Sequence, residues 1–570
     1  RNADHFDDNI RQKLIATGML RNSPDSTDQG ELNIFSIRYF VLHQTAESLA
    51  QNLLGLTMQC CKCHDHKFES ISQRDYYRFT AFIMPALTPR DWLTPPQREL
   101  RLQGKQEHVE FVRQRDEANA ELAVIREAGR KVLYDRAVTA IPEPLREDLL
   151  AAQGVAKEKR SEVQKYLVEK LGEKFTFNRD QVITALTAEQ KDREETLVHV
   201  LAELARREED EWVQAVYDMG SVRPTFVLRR GEFEMPGAEV QAGIFSVLED
   251  PMFPAPNVEP VGQTSGKRLQ LARQLTNWES RAGALVARVR VNRIWQRLFE
   301  RGLVETASNF GVSGMEPTHP DLLEWLTGSF VDHGTKLKPL LKLIMTSQTY
   351  MQRSFTDEST MAMRAQENDP GNQLLWRQRL RRMEAEIVRD SMLVASGRLD
   401  LALGGPPSQT VNLPDGMVVE AGYDRVTEET TWRRSIYLLQ RRNYHPSVLQ
   451  AFDQPLLTEF CSRRERSASV AQSLMMLNDR FVGHQASFLA RRIISRSGGQ
   501  QDVSGLAQSA FRIVLARAAS EEELGWCLET FGKHKAAYLE AGQDDATAHH
   551  SAMTRICQSL FSTSEFIYIH

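Results

Sequence analysis

Apolar residues return every three or four positions through most of this chain, the spacing of one buried helical face. In "HQTAESLAQNLLGLTMQCC" the positions are Ala46, Leu49, Leu53 and Leu56, so a helix is expected to carry the chain into its cysteine-rich stretch. "SISQRDYYRFTAFIM" starts the next helix, with Ser72 placed to cap it. Between 97 and 215 the residues are mostly Glu, Lys, Arg, Ala and Gln. There Phe111, Ala118, Leu122, Ile125 and Val132, and again Leu197, Leu201 and Leu204, mark the seam of long antiparallel helices broken near Pro142 and Pro144. "RPTFVLRRGEFEMPGAEV" is β-prone and punctuated by glycine, and "EDPMFPAPNVEPVG" is a proline-rich linker.

Helical spacing then resumes. "ALVARVRVNRIWQRLF" puts Val286, Val289, Ile294, Leu298 and Phe299 on one face. "THPDLLEWL" shows a capping-box pattern from Thr318 to Asp321, and "NQLLWRQRLRRMEAEIVRDSML" predicts another long amphipathic helix. "TTWRRSIYLLQRR" is β-prone, and "ASEEELGWCLETF" is a helix capped by Ser520 with Glu523 three residues on. The expectation is a mainly α, multi-domain protein with a long helical-hairpin arm and small β elements. Its segments are a helical domain at 1–96, a charged helical or coiled-coil arm at 97–219, and a small β element with linker at 220–265. A helical domain with a short β segment follows at 266–465, then a C-terminal helical region at 466–570.

Composition narrows the function classes. The 570 residues are 41% hydrophobic and 26% charged with a net charge of −5, so no basic excess points to a nucleic-acid partner. No apolar run approaches the roughly 18 residues of a membrane span. The chain opens at Arg1 inside a helical pattern, so a processed or truncated chain whose beginning is missing is expected. Six cysteines are too few for a disulfide scaffold. Cys461, Cys527 and Cys557 are scattered and expected to be buried as small hydrophobes.

The other three cysteines lie together in "TMQCCKCHDHKF". Cys60, Cys63 and His64 form a C-x-x-C-H. Two thiols three positions apart on a helical turn can add to the two vinyl groups of one haem, and the histidine can then ligate the iron. Two rivals exist. Cys60, Cys63, His64 and His66 could bind zinc, although no second ligand pair follows. Cys60 and Cys63 could instead form a redox disulfide, although the βαβ context of a thioredoxin is absent. Cys61 cannot belong to the C-x-x-C-H and is expected to pack behind the turn.

"LGLTMQCCKCHDHKFESISQRDYYRFTAFI" resembles the "LGLT…C-x-RCHDHKFDPI…DYY" signature of a family of unknown function abundant in planctomycete bacteria. "ARVRVNRIWQRLFERGLVETASNFG", "PTHPDLLEWL", "LKLIMTSQTYMQRS" and the closing "SLFSTSEFIYI" resemble its companion domain, also of unknown function. Members typically carry an N-terminal planctomycete-type cytochrome c module. The resemblance implies that 1–96 is the C-terminal part of the first family domain and binds haem c. It further implies a missing cytochrome module and an exported, periplasmic or extracytoplasmic protein. Two departures occur: Cys61-Lys62 stands for a small residue and arginine, and Glu69-Ser70 for Asp-Pro. Neither removes a haem-binding residue.

The rest of the site is less determined. His66 lies too close to His64 to reach the opposite haem face, so it and Asp65 are expected to support the turn or hold a second ion. His319 and His445 are distal-ligand or pocket candidates, a methionine is another, and five-coordinate iron is a further alternative. The arginines of Trp376–Asp390 and Arg433–Arg442 suit haem propionates, an anionic substrate or internal ion pairs. Glu384, Glu386 and Asp390 share that stretch, and a glycosidase would need two such carboxyls across a cleft. The expected function is a secreted c-type haem protein with an electron-transfer or haem-dependent redox role. Its partner would be a redox protein or the missing cytochrome module. A structural or assembly protein with a structural haem or zinc, self-associating through the arm, is the first alternative. A polysaccharide-processing enzyme is the second.

Overall fold

A computed structural model describes residues 8–21, 23–101, 105–153, 155, 160–172, 175–210, 212–219, 223–260, 264–355, 359–427, 429–456, 461, 463–497 and 502–569. Among these, twenty-one α-helices are joined by strands of two to five residues, paired only in two-stranded ribbons. The mainly α expectation holds, with small β elements. Two compact units divide the chain.

One unit comprises Arg1–Gly18, Glu99–Ala215 and Gly404–Pro406. Helix Lys105–Thr139 packs against Ala188–Asp210, and the antiparallel strands Glu99–Arg101 and Trp212–Gln214 close the base of this pair. The seam predicted from spacing is present where Ala118, Leu122 and Leu197 meet, with Ile125 and Leu201 beside them. Exposed ion pairs such as Glu121–Arg193 and the more buried Arg126–Glu194 flank it. Val132 is exposed and lies outside that seam.

The other unit comprises Met19–Arg98, Val216–Leu403 and Pro407–His570. It has three main apolar cores. The first gathers helices Phe35–Leu49 and Gln73–Thr80 with the hairpin Thr225–Leu228/Pro236–Val240. The second lies between helices Arg281–Phe299, Pro320–Asp332 and Leu337–Met345. The third holds Ala385–Ser396 and the helices from Val470 to Phe561. Local caps follow the sequence: Ser72 with Asp75 and Ser520 with Glu523 both form reciprocal capping boxes.

Four expectations need correction. The long helix over 372–393 is confined to Ala385–Ser396, preceded by extended chain and the strand Arg381–Arg382. Asn372 and Leu375 adopt positive φ, which no helix accommodates, and Arg379 bonds the carbonyls of Gly371 and Asn372. At 318–321 the cap residue is His319, followed by Pro320 at the first helical position. Thr318 bonds the Leu303 carbonyl rather than the helix. Cys461 is exposed and Cys527 half-buried; only Cys557 of the scattered cysteines is buried. Finally, the helix leading to the cysteines ends early. Its last turn widens over Ala50–Leu54, and Gly55 then turns left-handed at φ 61. A Cβ on Gly55 would also meet the Phe310 ring at 2.8 Å, so glycine is needed there on two counts.

Candidate functional site at the cysteine turn

Cys60, Cys61 and Lys62 sit on a separate 3-10 turn, Gln59–Lys62, with Cys63 capping its end and His64 just beyond, outside any α-helix. The Cys61 and Cys63 amides donate to the carbonyls of Met58 and Cys60, and the His64 amide also reaches Cys60. This geometry splits the three thiols. Cys60 and Cys63 are exposed, while Cys61 is fully buried with its thiol 3.4 Å from the Ile71 carbonyl. Burial, followed by the neighbouring Cys60, pushes the Cys61 thiol up to about 12, so it stays protonated. The expectation that Cys61 packs behind the turn is met.

The turn is fixed from several directions. The Lys62 carbonyl accepts from Tyr77 Oη at 2.8 Å and Gln73 Nε2 at 3.1 Å, and Gln73 also reaches the Leu228 carbonyl at 3.0 Å. Asp65 Oδ1 accepts from the Gln73 amide at 2.7 Å. Asp75 ties the following helix to a distant loop, accepting from the Ser246 amide and hydroxyl at 3.1 and 2.6 Å. The hairpin tip at Gly231, φ 77, leaves space that Cys63 fills: a Cβ there would lie 2.9 Å from Cys63 Sγ. Glycine is therefore required opposite the second thiol.

The two histidines differ in what their rings leave free. His64 Nδ1 is 2.7 Å from the Asp65 carbonyl, which can only accept, so Nδ1 carries the proton and Nε2 keeps its lone pair. His66 Nδ1 instead accepts from the amides of Phe68 and Glu69 at 3.1 and 2.9 Å. In the neutral ring this puts the proton on Nε2, so His66 closes the loop and has no nitrogen lone pair to spare for a metal.

These residues fit a haem carried at the surface. The two exposed thiols stand three positions apart, the sequence spacing of a haem-attachment motif, and His64 offers a bare Nε2. They fit zinc less well, because His66 is committed to the loop. No three His, Cys, Asp or Glu side chains among the described residues gather as a metal site would require. Cys60 and Cys63 are both free thiols here.

Glu69, which stands where the resembling signature has aspartate, has a structural task. Its buried carboxylate accepts from the Val312 amide at 2.8 Å and from the Ser313 amide and hydroxyl at 3.0 and 2.7 Å. Gly311 allows the approach, since a Cβ there would overlap the carboxylate. Burial by itself would raise this carboxyl, but the bonds from Ser313 and Val312 outweigh it and hold it below the ordinary glutamate value. A group with a depressed folded pKa stabilises the fold above its unfolded pKa and loses that contribution as pH falls through the folded value. Glu69→Gln is therefore expected to weaken the link between the turn and the 311–313 loop at neutral pH. The deficit against the wild type should shrink as the pH drops below the glutamate range. Amide exchange at Val312 and Ser313 measures both, and a pH-independent difference would refute the ionic account.

His319 and His445 are not brought to the turn. His319 bonds Thr318 at the start of its helix, and His445 is buried ahead of helix Ser447–Ala451. Neither shares a hydrogen bond or ring contact with Cys60–His66 among the described residues. The arginine stretches mostly form internal links. Arg382 bonds the Phe452 carbonyl and Asp453, while Arg389 bonds Glu420 and Ser435. Glu384 and Glu386 pair with Arg464, and Asp390 accepts from Ser435. Those carboxylates are committed to partners and do not face each other unpaired across a cleft.

Sequence reasoning missed a buried cluster beneath the turn. His43 and Glu47, four apart on helix Phe35–Leu49, lie against Tyr76 and Tyr77. Tyr76 donates to Glu47 at 2.8 Å. Burial raises the Glu47 carboxyl, with the Tyr76 bond and Lys62 opposing, and burial then Lys62 lower His43 to about 3. The i, i+4 spacing of His43 and Glu47 was visible in the sequence; their burial was not.

Residues 2–87 match the model of PSCyt2, a protein of unknown function (DUF1549), and residues 267–531 match that of PSD1, a protein of unknown function (DUF1553). The chain carries two domains of unknown function. The cysteine turn and the His43 cluster fall in the first, and His319 and His445 in the second. No curated protein and no solved structure matches the chain.

Proposed function

We propose that this chain is an extracytoplasmic c-type haem protein that passes electrons to or from a partner protein. Cys60 and Cys63 would hold the haem by thioether bonds and His64 Nε2 would ligate the iron, which supplies a one-electron couple. The observation that carries this reading is the split of three neighbouring thiols, two presented outward three positions apart in the chain and one withdrawn, followed by an imidazole with a bare Nε2. The exposure of that turn supports electron transfer over substrate catalysis. A surface haem meets a docking protein at its edge, whereas catalysis needs an enclosed pocket that excludes water. Thioether attachment takes place outside the cytoplasmic membrane, so the localisation follows from the cofactor. A redox protein or a cytochrome module is the partner this implies.

The test is a pyridine haemochrome spectrum with intact mass on protein purified from its native host. A c-type band with the mass of one haem is expected. Unmodified thiols with no haem band would overturn the proposal.

A further inference from the structure

A cavity of about 390 Å³ lies in the second domain, between the start of helix Arg480–Arg496 and the ribbon Thr410–Asn412/Val418–Glu420. Its walls are mostly apolar. Met417, Val418, Tyr423, Trp432, Val448 and Phe481 line it, with Trp432 edge-on to Phe481 at 6.0 Å. The volume falls in the range of small-molecule pockets, about 300–1,000 Å³.

Asp479 and His484 line the same space with bonding capacity left over. Asp479 caps the helix through Oδ1, which accepts from the amides of Phe481 and Val482 at 2.8 and 3.4 Å. Its Oδ2 accepts from no group among the described residues, and no lysine or arginine among them pairs with it. His484 likewise has both ring nitrogens unbonded among the described residues. Both residues are part-exposed, and none of these three atoms is closed off from solvent, so each stays within reach of a ligand. The other charges are mostly engaged. Arg389 bonds Glu420 at 2.6 Å, Asp415 accepts from the Met417 amide, and the exposed Arg480 lies over the Tyr423 ring at 6.0 Å. Burial lowers His484 below the ordinary histidine value, with Asp479 opposing and Arg480 assisting. Burial also raises the Asp479 carboxyl, against its amide bonds and His484. Asp415, Glu420 and Asp479 therefore face two guanidiniums and a neutral imidazole, which leaves the lining net negative at neutral pH.

We infer that this cavity binds a small molecule with an apolar, ring-bearing body and a protonated amine, with Asp479 Oδ2 as its counter-charge and His484 as an acceptor beside it. An ammonium has three donors and no acceptor, which complements a carboxylate oxygen and an imidazole lone pair. Trp432 and Phe481 favour a ring by offset or edge contacts and attract a cation through their faces. The inference stands apart from the haem reading, since it lies in the other domain and needs no cofactor.

Binding calorimetry on the full chain tests this with 2-phenylethylamine, 2-phenylethanol and 3-phenylpropionate. The three share a phenylethyl body and end in an ammonium, a hydroxyl and a carboxylate. The wild type is expected to bind the amine at least about tenfold more tightly than the alcohol, and the carboxylate most weakly. Asp479→Asn keeps the helix cap, because asparagine caps as well as aspartate, and should bring the amine down to the level of the alcohol. Wild-type protein that binds the amine no better than the alcohol, that prefers the carboxylate, or that binds none of the three would overturn the inference. Retention of the amine preference in Asp479→Asn would also overturn it. The wild-type comparison needs no variant to fold.

Discussion

Serine at both Cys60 and Cys63 is expected to leave protein from its native host without covalent haem, whereas serine at Cys61 is expected to leave one haem in place. The contrast follows from position. Cys60 and Cys63 are exposed, and Cys63 rests against a glycine that leaves it space. Cys61 is buried between them, with its thiol turned to the Ile71 carbonyl and its ionisation suppressed. A protonated, enclosed thiol cannot add to a vinyl group, however close in sequence. Either single serine at Cys60 or Cys63 should leave one thioether. His64→Ala should keep the haem attached while changing its visible spectrum, because only the axial nitrogen is lost. Intact mass under denaturing conditions reads attachment, and the visible spectrum reads ligation. Loss of haem in the Cys61 variant would assign the thioethers to the wrong pair of cysteines.

Alanine at Asn292 is expected to cost about 3–4 kcal/mol in local stability. Asn292 is fully buried on helix Arg281–Phe299, in an apolar core with Val291, Ile294 and Trp295. Its Nδ2 donates to the Val304 carbonyl at 2.9 Å and its Oδ1 accepts from the Val304 amide at 2.8 Å. Alanine strands both backbone groups where water does not reach, at about 1–3 kcal/mol each, and adds a small void. The effect should spread. Val304 leads into the loop whose Phe310 amide bonds the Gly55 carbonyl and whose 312–313 amides hold Glu69. In a chain of this size, amide exchange localises the loss better than a single melting midpoint. Faster exchange is expected at Val304 first and at Val312 and Ser313 next. Unchanged protection at Val304 would show that the site relaxes to re-bond its backbone.

Features that depend on near neighbours in the chain were legible. The capping boxes at Ser72 and Ser520 close over three residues, so sequence specifies them almost completely. The arm's seam was legible because two long helices pack along a regular stripe. The same logic failed at 372–384. Apolar residues at helical spacing were present, but positive φ at Asn372 and Leu375 and long-range arginine bonds such as Arg382 to Phe452 decided otherwise. Tertiary bonds overrode a local preference that was too weak to resist them.

The sequence by itself determined a helical protein with short β ribbons and a C-x-x-C-H, because composition and spacing act over a few residues. It also marked Cys61 as the thiol left over from that motif, whereas what takes Cys61 in, the Ile71 carbonyl and the core behind it, came only with the fold. The bonds that hold the turn join residues far apart in the chain: Glu69 to Ser313, Asp75 to Ser246, Tyr76 to Glu47. Nor could the sequence show that His43 would be buried among Tyr39, Tyr76 and Tyr77, its ring nitrogens without a hydrogen-bond partner among the described residues. An isolated histidine on a helix is either solvated or buried according to what packs over it. Only the folded core, by excluding water from that imidazole, holds it neutral, with its pKa lowered to about 3.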